Sequence, residues 1–328
     1  MEQRISPANN ADLKADKHVS KVNKTRKRSR FKTYWPYVVM CIPGLAYLFI
    51  NNYMPIAGLT IAFRNIDYSI GIFNSPWCGF DNFRFLFSTS DAAIITRNTL
   101  CYNIFFIFLN TICAVAVAIM LNEIKNKAML RIYQSSVLLP HLISMVVVAY
   151  LVYAALAVDT GFINKSILEP LGFKGIDWYT EPKYWPFILP LVNLWKNIGF
   201  LCVIYFAAII GISNDYFEAA VLDGASKWQQ IIHITLPLIK PTVITMVLLA
   251  IGRIFYSDFG LFYQVPLDSG MLYSTTNVID TYVYRALIKI GDIGMASAAG
   301  FFQSIVGFAL VMISNLVVRK IDPDKALF

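Results

Sequence analysis

Two cationic side chains, Lys196 and Arg253, stand deep inside long apolar segments of this sequence. Each lies roughly 12 to 14 residues from a segment end, close to the middle of a bilayer by the 1.5 Å helical rise. Charges at that depth rarely face lipid, and they usually face a bundle interior or a wet cavity. Near them in the chain stand amide and aromatic side chains that suit a hydroxylated solute: Asn193, Trp195, Asn197 and Tyr256.

Two interpretations of these cations remain open at this stage. In the first they are structural, with Arg253 paired to Asp258 one to two turns away and Lys196 bound to carbonyls at a helix end. In the second they line a passage through the membrane beside the polar side chains named above. Substitution would then change selectivity in the second case, but would disturb assembly in the first.

The sequence contains no pattern typical of catalysis or metal binding. A Lys165-Ser166 pair follows Gly161, but Asn164 stands where a phosphate-binding P-loop needs its second glycine. The three histidines are widely separated and the five cysteines form no CxxC pair. We therefore predict that this chain is not an enzyme and binds no cofactor or metal.

The composition is that of an integral membrane protein. Hydrophobic residues make up 57% of the 328 residues, charged residues only 15%, and the mean hydropathy is +0.56. A soluble protein of this length is less apolar. We predict an all-α fold with six transmembrane helices near residues 36–62, 98–122, 132–157, 184–210, 239–262 and 296–318.

The charge distribution predicts the orientation of these helices. The first 33 residues carry ten Lys and Arg against three acidic residues. Such a cluster before a first span more often fixes that end in the cytoplasm than binds nucleic acid. The predicted outer segments are 63–97, 158–183 and 263–295, and the predicted inner segments are both termini, 123–131 and 211–238.

One polar stretch, Asp215 to Pro241, separates the fourth and fifth spans and reads as a bent helical pair. Asp215 and Glu218 have the spacing of a capping box for the first helix. Gly224 predicts a positive φ angle where that helix ends, and Ser226 can cap the second helix. Pro237 and Pro241 then lead into the fifth apolar run.

The spacing inside this stretch resembles a known signature. Glu218-Ala219-Ala220, then Gly224, Ile234 and Leu236-Pro237 follow the pattern EAA-x3-G-x9-I-x-LP. The pattern resembles the EAA signature of permease subunits of binding-protein-dependent ABC importers, whereas Glu-Ala-Ala alone would fit any interfacial hairpin. The resemblance implies a type I importer permease (MetI-like) fold with cytoplasmic EAA coupling helices. It also implies docking to an ATPase subunit through Glu218, Ala219, Ala220, Asp223, Gly224, Ile234, Leu236 and Pro237.

Further strings in the family's order resemble the LplB-like branch, which handles complex polysaccharides and their oligosaccharides. They are Gly79-Phe80-Asp81-Asn82-Phe83, Arg97-Asn98-Thr99-Leu100, Leu121-Asn122-Glu123-Ile124, Leu139-Pro140-His141, Trp195-Lys196-Asn197-Ile198-Gly199 and Asp258-Phe259. The predicted domains are a basic cytoplasmic tail (1–33), a first transmembrane helix and outer loop (34–93), a transmembrane core (94–318) with the EAA loop at 211–241, and a cytoplasmic C-terminal tail (319–328).

The resemblance implies a permease subunit in the plasma membrane of a bacterium that imports oligosaccharides or polysaccharide fragments. The implied partners are a second homologous permease, an ABC ATPase dimer that uses ATP and Mg, and an extracytoplasmic solute-binding protein. If Lys196 and Arg253 line the passage, their charges favour an acidic oligosaccharide, such as one containing uronic acid.

Two other functions stay open as alternatives. A stand-alone secondary transporter or channel for a small polar solute usually shows internal repeats and carboxylates near the midplane, and neither is found in the sequence. A purely structural membrane scaffold would leave the spacing of residues 218–237 unexplained.

Overall fold

The computed structural model describes residues 34–72, 74–84 and 90–321. In those residues every regular element is a helix, and one isolated antiparallel bridge joins Arg64 to Trp77. The all-helical prediction is therefore confirmed. The predicted basic tail 1–33 and the C-terminal tail from residue 322 onward lie outside the described residues.

The helices are numbered α1 to α11 along the described chain, with short 3₁₀ and π turns between some of them. They are α1 (Tyr34–Phe63), α2 (Ser90–Asn122), α3 (Lys127–Leu142), α4 (Met145–Leu156), α5 (Trp185–Ile210), α6 (Asn214–Leu222), α7 (Lys227–Ile251), α8 (Phe259–Gln264), α9 (Tyr273–Thr276), α10 (Ile279–Arg285) and α11 (Ile293–Ile321).

Five helices among the described residues, α1, α2, α5, α7 and α11, are long and apolar enough to cross a membrane, and α3 with α4 makes a sixth crossing if the pair counts as one. The six predicted segments are thus found in order. Among the described residues, those up to Thr60 form one unit and those from Ile61 onward form a second unit. All features below belong to the second unit.

The third predicted span, 132–157, was wrong as a single helix. The chain leaves helical geometry at Ile143 and Ser144, and α3 and α4 meet at an angle of 97°. Pro140 lies in the last turn of α3 and removes one backbone donor from the ladder. Ser144 then starts α4 as an N-cap, with its hydroxyl accepting a hydrogen bond from the Val147 N–H at 3.4 Å.

The fifth predicted span, 239–262, was also wrong at its end, because α7 stops at Ile251. Neighbouring side chains satisfy part of the non-helical backbone that follows. The Asn103 amide donates to the Ile254 carbonyl at 2.8 Å, and the Gln303 amide donates to the Phe255 carbonyl at 2.8 Å. Irregular backbone at membrane depth requires such internal partners.

Helices α2 and α5 form the centre of the second unit. Ala114 and Ala118 of α2 have no exposed surface, and they pack with Cys202, Tyr205 and Ile209 of α5. Small side chains allow two membrane helices to approach closely. This pair is the rigid frame on which the polar side chains described below are placed.

The predicted outer segment 263–295 is folded around Asp268. Its carboxylate accepts hydrogen bonds from Arg285 at 2.7 Å and Lys289 at 2.9 Å, and the Arg285 guanidinium lies 4.2 Å from the centre of the Tyr273 ring. Burial raises the pKa of Asp268, but the hydrogen bonds from Lys289 and Arg285 outweigh it and hold that pKa below its ordinary value. The charge cluster thus connects Asp268 to α10 and to the π turn at Ala286–Ile290 that follows it.

Cys78 provides a test of the predicted orientation. Its side chain is half-buried in the segment that follows α1, and the charge distribution predicts that this segment lies outside. We expect a variant whose only cysteine is Cys78 to react with a membrane-impermeant thiol reagent in intact cells. A matched variant with its only cysteine at Lys125→Cys should react only after lysis. The reverse pattern would invert the topology.

Candidate functional site

Polar side chains from α2, α5 and the chain after α7 meet around a cavity of about 370 Å³. Helices α2 and α5 supply four amides, and the chain after α7 adds a cation and a phenol. The polar side chains on its wall are Asn103, Asn110, Thr111, Asn193, Asn197, Tyr205, Arg253 and Tyr256. Aromatic and aliphatic side chains fill the rest of the wall, so the cavity offers hydrogen bonds and apolar contact together.

Two of these amides are buried and bonded to each other. The Asn110 side chain donates to Asn193 Oδ1 at 2.8 Å, and the two residues are 8% and 6% exposed. Asn110 Oδ1 is itself buried and accepts no hydrogen bond from the described residues. An unsatisfied buried acceptor costs about 1–3 kcal/mol, so this oxygen is suited to a donor that enters the cavity.

Arg253 is the one charged side chain on the cavity wall formed by the described residues. The predicted ion pair with Asp258 is wrong: no ion pair joins them in the described chain. Because α7 ends at Ile251, the helical spacing that would have brought the two residues together does not exist. Asp258 instead caps α8, accepting from the Leu261 N–H at 3.1 Å.

Lys196 does not line this cavity. Its ammonium group donates to three carbonyls at the break between α3 and α4, those of Pro140 (3.4 Å), His141 (3.4 Å) and Ile143 (2.5 Å). This is the structural interpretation that the sequence left open for Lys196. A cation at a helix C-terminus also interacts favourably with the helix dipole.

Replacing Lys196 by methionine should therefore destabilise the fold without changing selectivity. The substitution keeps most of the side-chain volume but leaves the three carbonyls without their donor inside the membrane, where unsatisfied backbone groups are costly. We expect a lower yield of monodisperse protein in detergent and a lower midpoint of thermal unfolding. Lys240→Met, at an exposed position of α7, is the matched control. Normal stability together with altered charge selectivity would instead show that Lys196 lines the passage.

The structure brings together four of the seven predicted path residues, Asn193, Asn197, Arg253 and Tyr256. It leaves out Trp195, which is 42% exposed on another face of α5, together with Lys196 and Asp258. Asn103 and Asn110 were not predicted from the sequence. A usable signal was present, because these amides stand seven residues apart in an apolar helix and so share one face.

A second candidate site is the polar connection between α5 and α7. Helix α6 starts with Ser213 as its N-cap, whose hydroxyl accepts from the Asp215 N–H at 3.3 Å. The predicted capping box of Asp215 and Glu218 is therefore wrong, since an equally good cap stands two residues earlier. Asp215 lies in the first turn of α6, where a negative charge favours the helix dipole.

The end of α6 follows the predicted geometry. Gly224 has a φ angle of +78°, as the sequence predicts. The Ala225 N–H donates to the Ala220 carbonyl at 2.8 Å and the Gly224 N–H to the Val221 carbonyl at 3.0 Å. These two bonds are those of a Schellman motif. The backbone of Ala220, within the Glu-Ala-Ala triplet, thus helps to fix the bend.

The second helix of the pair begins as predicted at Ser226, which forms a capping box with Gln229. From there α7 runs without interruption to Ile251, through a π turn at Ile231–Thr235 that contains Ile234. The Gln230 side chain donates to the Ala225 carbonyl at 3.1 Å. The bend is therefore attached rigidly to a helix whose far end reaches the cavity wall.

The signature residues of this connection are accessible. Glu218, Ala219, Asp223, Gly224, Leu236 and Pro237 are exposed, and Ala220 and Ile234 are half-buried. Apolar side chains on the same connection are exposed as well, among them Leu222 and Trp228. A Cβ added at Gly224 would meet nothing within 4 Å. The chain itself therefore leaves this surface open for a partner.

A family model described as the binding-protein-dependent transport system inner membrane component matches residues 103–326, which include the cavity and the connection just described. The chain belongs to this family. The predicted family is thus confirmed, and the chain is a permease, a multi-pass transport subunit. The roles of its individual cavity and connection residues stay predictions.

Two relatives of the permease come from Bacillus subtilis (strain 168). Protein LplB is 32% identical over 291 residues, covering 88% of this chain and 90% of the relative. The polygalacturonan/rhamnogalacturonan transport system permease protein YteP is 31% identical over 286 residues, covering 87% and 88%. The similarity thus extends over nearly the whole length of each protein.

The fold of the permease is shared with two solved structures. One is a bacterial ABC transporter involved in the import of the acidic polysaccharide alginate, with a TM-score of 0.82, 32% identity, and coverage of 90% of this chain and 99% of that chain. The other is a bacterial alginate ABC transporter in complex with an alginate pentasaccharide-bound periplasmic protein, with a TM-score of 0.80, 31% identity, and coverage of 89% and 97%. The predicted importer permease fold is confirmed.

Proposed function

We propose that this permease is one of two membrane subunits of a bacterial importer of oligosaccharides or polysaccharide fragments, and that it forms half of the translocation path. The observation that carries the proposal is a cavity walled by amides and aromatic side chains inside an otherwise apolar bundle. Amides bond to sugar hydroxyls and aromatic rings cover apolar sugar faces. The polysaccharides for which YteP and the alginate transporters are named belong to the same class of substrate.

The proposed partners follow from the family and from the exposed surfaces. A second homologous permease completes the path, and an extracytoplasmic binding protein delivers the sugar, by analogy with the solved alginate transporter in complex with its pentasaccharide-bound periplasmic protein. An ATPase dimer docks on the connection around Glu218 and Gly224, and it binds the ATP and Mg that this chain does not. Both termini and this connection lie in the cytoplasm.

Helix α7 supplies a physical link between the proposed ATPase surface and the cavity. It contains 25 residues from Lys227 to Ile251, which is about 37 Å at 1.5 Å per residue. Gly224 lies just before its start and Arg253 just after its end. A movement imposed on the connection is therefore carried by one continuous helix to the residues on the cavity wall.

The proposal is tested by purifying the chain through an affinity tag from its native membrane. We expect a second permease and an ATPase subunit to be recovered with it, and the cognate binding protein to select oligosaccharides from a glycan panel. The sugars selected should accelerate ATP hydrolysis by the complex in proteoliposomes. Recovery of the chain alone, or hydrolysis indifferent to every sugar bound, would contradict the proposal.

A further inference from the structure

We infer that Arg253 makes the path selective for anionic sugars, binding the carboxylate of a uronic-acid unit while Asn110 binds a neighbouring hydroxyl. The inference rests on the proposed function, in which this cavity lies on the sugar path. It adds a substrate class and the residues that discriminate it.

The charge of Arg253 is available to a ligand. Its guanidinium forms no ion pair within the described chain, and the other side chains on the described wall are amides, hydroxyls, aromatic rings and aliphatic groups. No carboxylate on the described wall therefore cancels its charge, and the exposed side chain of Arg253 is accessible to a ligand. The planar fork of arginine matches the two oxygens of a carboxylate.

A second contact comes from the unsatisfied oxygen of Asn110. The bond from its amide to Asn193 orients the side chain, and Oδ1 is left buried without a donor from the described residues. A uronic acid presents a carboxylate to a cation and hydroxyl donors to an acceptor. An anion without a hydrogen-bond donor, such as chloride, would satisfy only the cation, so the pair of contacts favours an acidic sugar over a simple anion.

An aromatic surface completes the arrangement. Tyr256 lines the same cavity, and its hydroxyl lies 2.9 Å from the Ser304 hydroxyl of α11, which in turn donates to the Gly300 carbonyl. These bonds anchor the phenol. A ring held in this way can lie against the apolar face of a sugar.

The test compares a uronic-acid trisaccharide with its carboxyl-reduced, neutral counterpart. Both are offered to the complete transporter in proteoliposomes, with the binding protein saturated by each sugar so that capture does not limit uptake. We expect Arg253→Gln to lower uptake of the acidic sugar at least about tenfold, the size of a lost charge-assisted hydrogen bond, and to spare the neutral sugar. Arg253→Lys, which keeps the charge without the fork, should give a smaller loss.

Lys240→Gln removes a cation from an exposed position of the same helix and should leave the ratio of the two uptakes unchanged. Asn197→Asp places a carboxylate on the cavity wall and should lower the uptake of the acidic sugar relative to that of the neutral sugar. This second variant keeps the test decisive even if Arg253→Gln fails to assemble. Equal loss of both sugars, or an unchanged ratio in both wall variants, would overturn the inference. Wild-type uptake of the neutral sugar but not of the acidic one would also overturn the inference, whereas uptake of no oligosaccharide that the binding protein selects would overturn the proposed function.

Discussion

Replacing Gly199 by alanine should prevent the permease from reaching its native fold. A Cβ at this position of α5 would overlap the Val137 carbonyl oxygen of α3 and would lie 2.6 Å from the carbonyl carbon and 2.8 Å from the Leu138 Cα. These are backbone atoms that no rotamer change can move aside. Overpacking of this kind costs about 1–3 kcal/mol or more. The measurement is the yield and thermal unfolding midpoint of detergent-purified protein.

The effect should extend beyond the clash itself, because Lys196 lies one turn away on the same face of α5 and holds the end of α3. Gly300→Ala is the matched control, since a Cβ there would meet nothing within 4 Å. We expect this control to accumulate and unfold as the wild type does. If Gly199→Ala behaves in the same way as the control, α3 and α5 are not in the close contact described.

The second large effect is expected at the connection between α5 and α7. Gly224→Asp and Glu218→Lys should reduce uptake at least about tenfold, as loss of a central contact in an interface does, while the subunit still inserts. A residue other than glycine at the positive φ of Gly224 adds strain of about 1 kcal/mol. The charge of either variant would then face the ATPase that we propose docks here. Sugar-stimulated hydrolysis and uptake are measured together.

Gly224→Asn isolates the effect of the charge, because asparagine has nearly the size of aspartate and a similar tolerance of positive φ but carries no charge. We expect it to retain more uptake than Gly224→Asp. If both charged variants hydrolyse ATP and take up sugar at wild-type rates, this connection does not couple hydrolysis to transport.

The membrane segments were predictable from sequence because hydropathy over about 20 residues reports directly on burial in lipid. The breaks in helical geometry inside those segments were not predictable from sequence. Pro140 can break a helix and Ser144 can start one, but these local cues do not predict that α3 and α4 meet at an angle of 97°. Asp258 was likewise predicted to lie within the fifth span, whereas in the structure it is the N-cap of α8.

The bend at Gly224 was predictable because glycine, a following serine cap and the spacing between them are local signals. The cavity was only half predictable. Asn193 and Asn197 stand out in one helix, but Asn110, the hydrogen-bond partner of Asn193, lies 83 residues away along the chain. Lys196 and Arg253 look equivalent in sequence. In the structure Lys196 binds carbonyls at a helix end, whereas Arg253 lines the cavity.

The most direct test of the account is sugar uptake by proteoliposomes that contain the permease pair and the binding protein, with and without the ATPase dimer. We predict uptake only when the ATPase and ATP with Mg are both present, and none with a hydrolysis-deficient ATPase. Uptake at an undiminished rate by the permease pair alone would contradict the account and favour a stand-alone transporter.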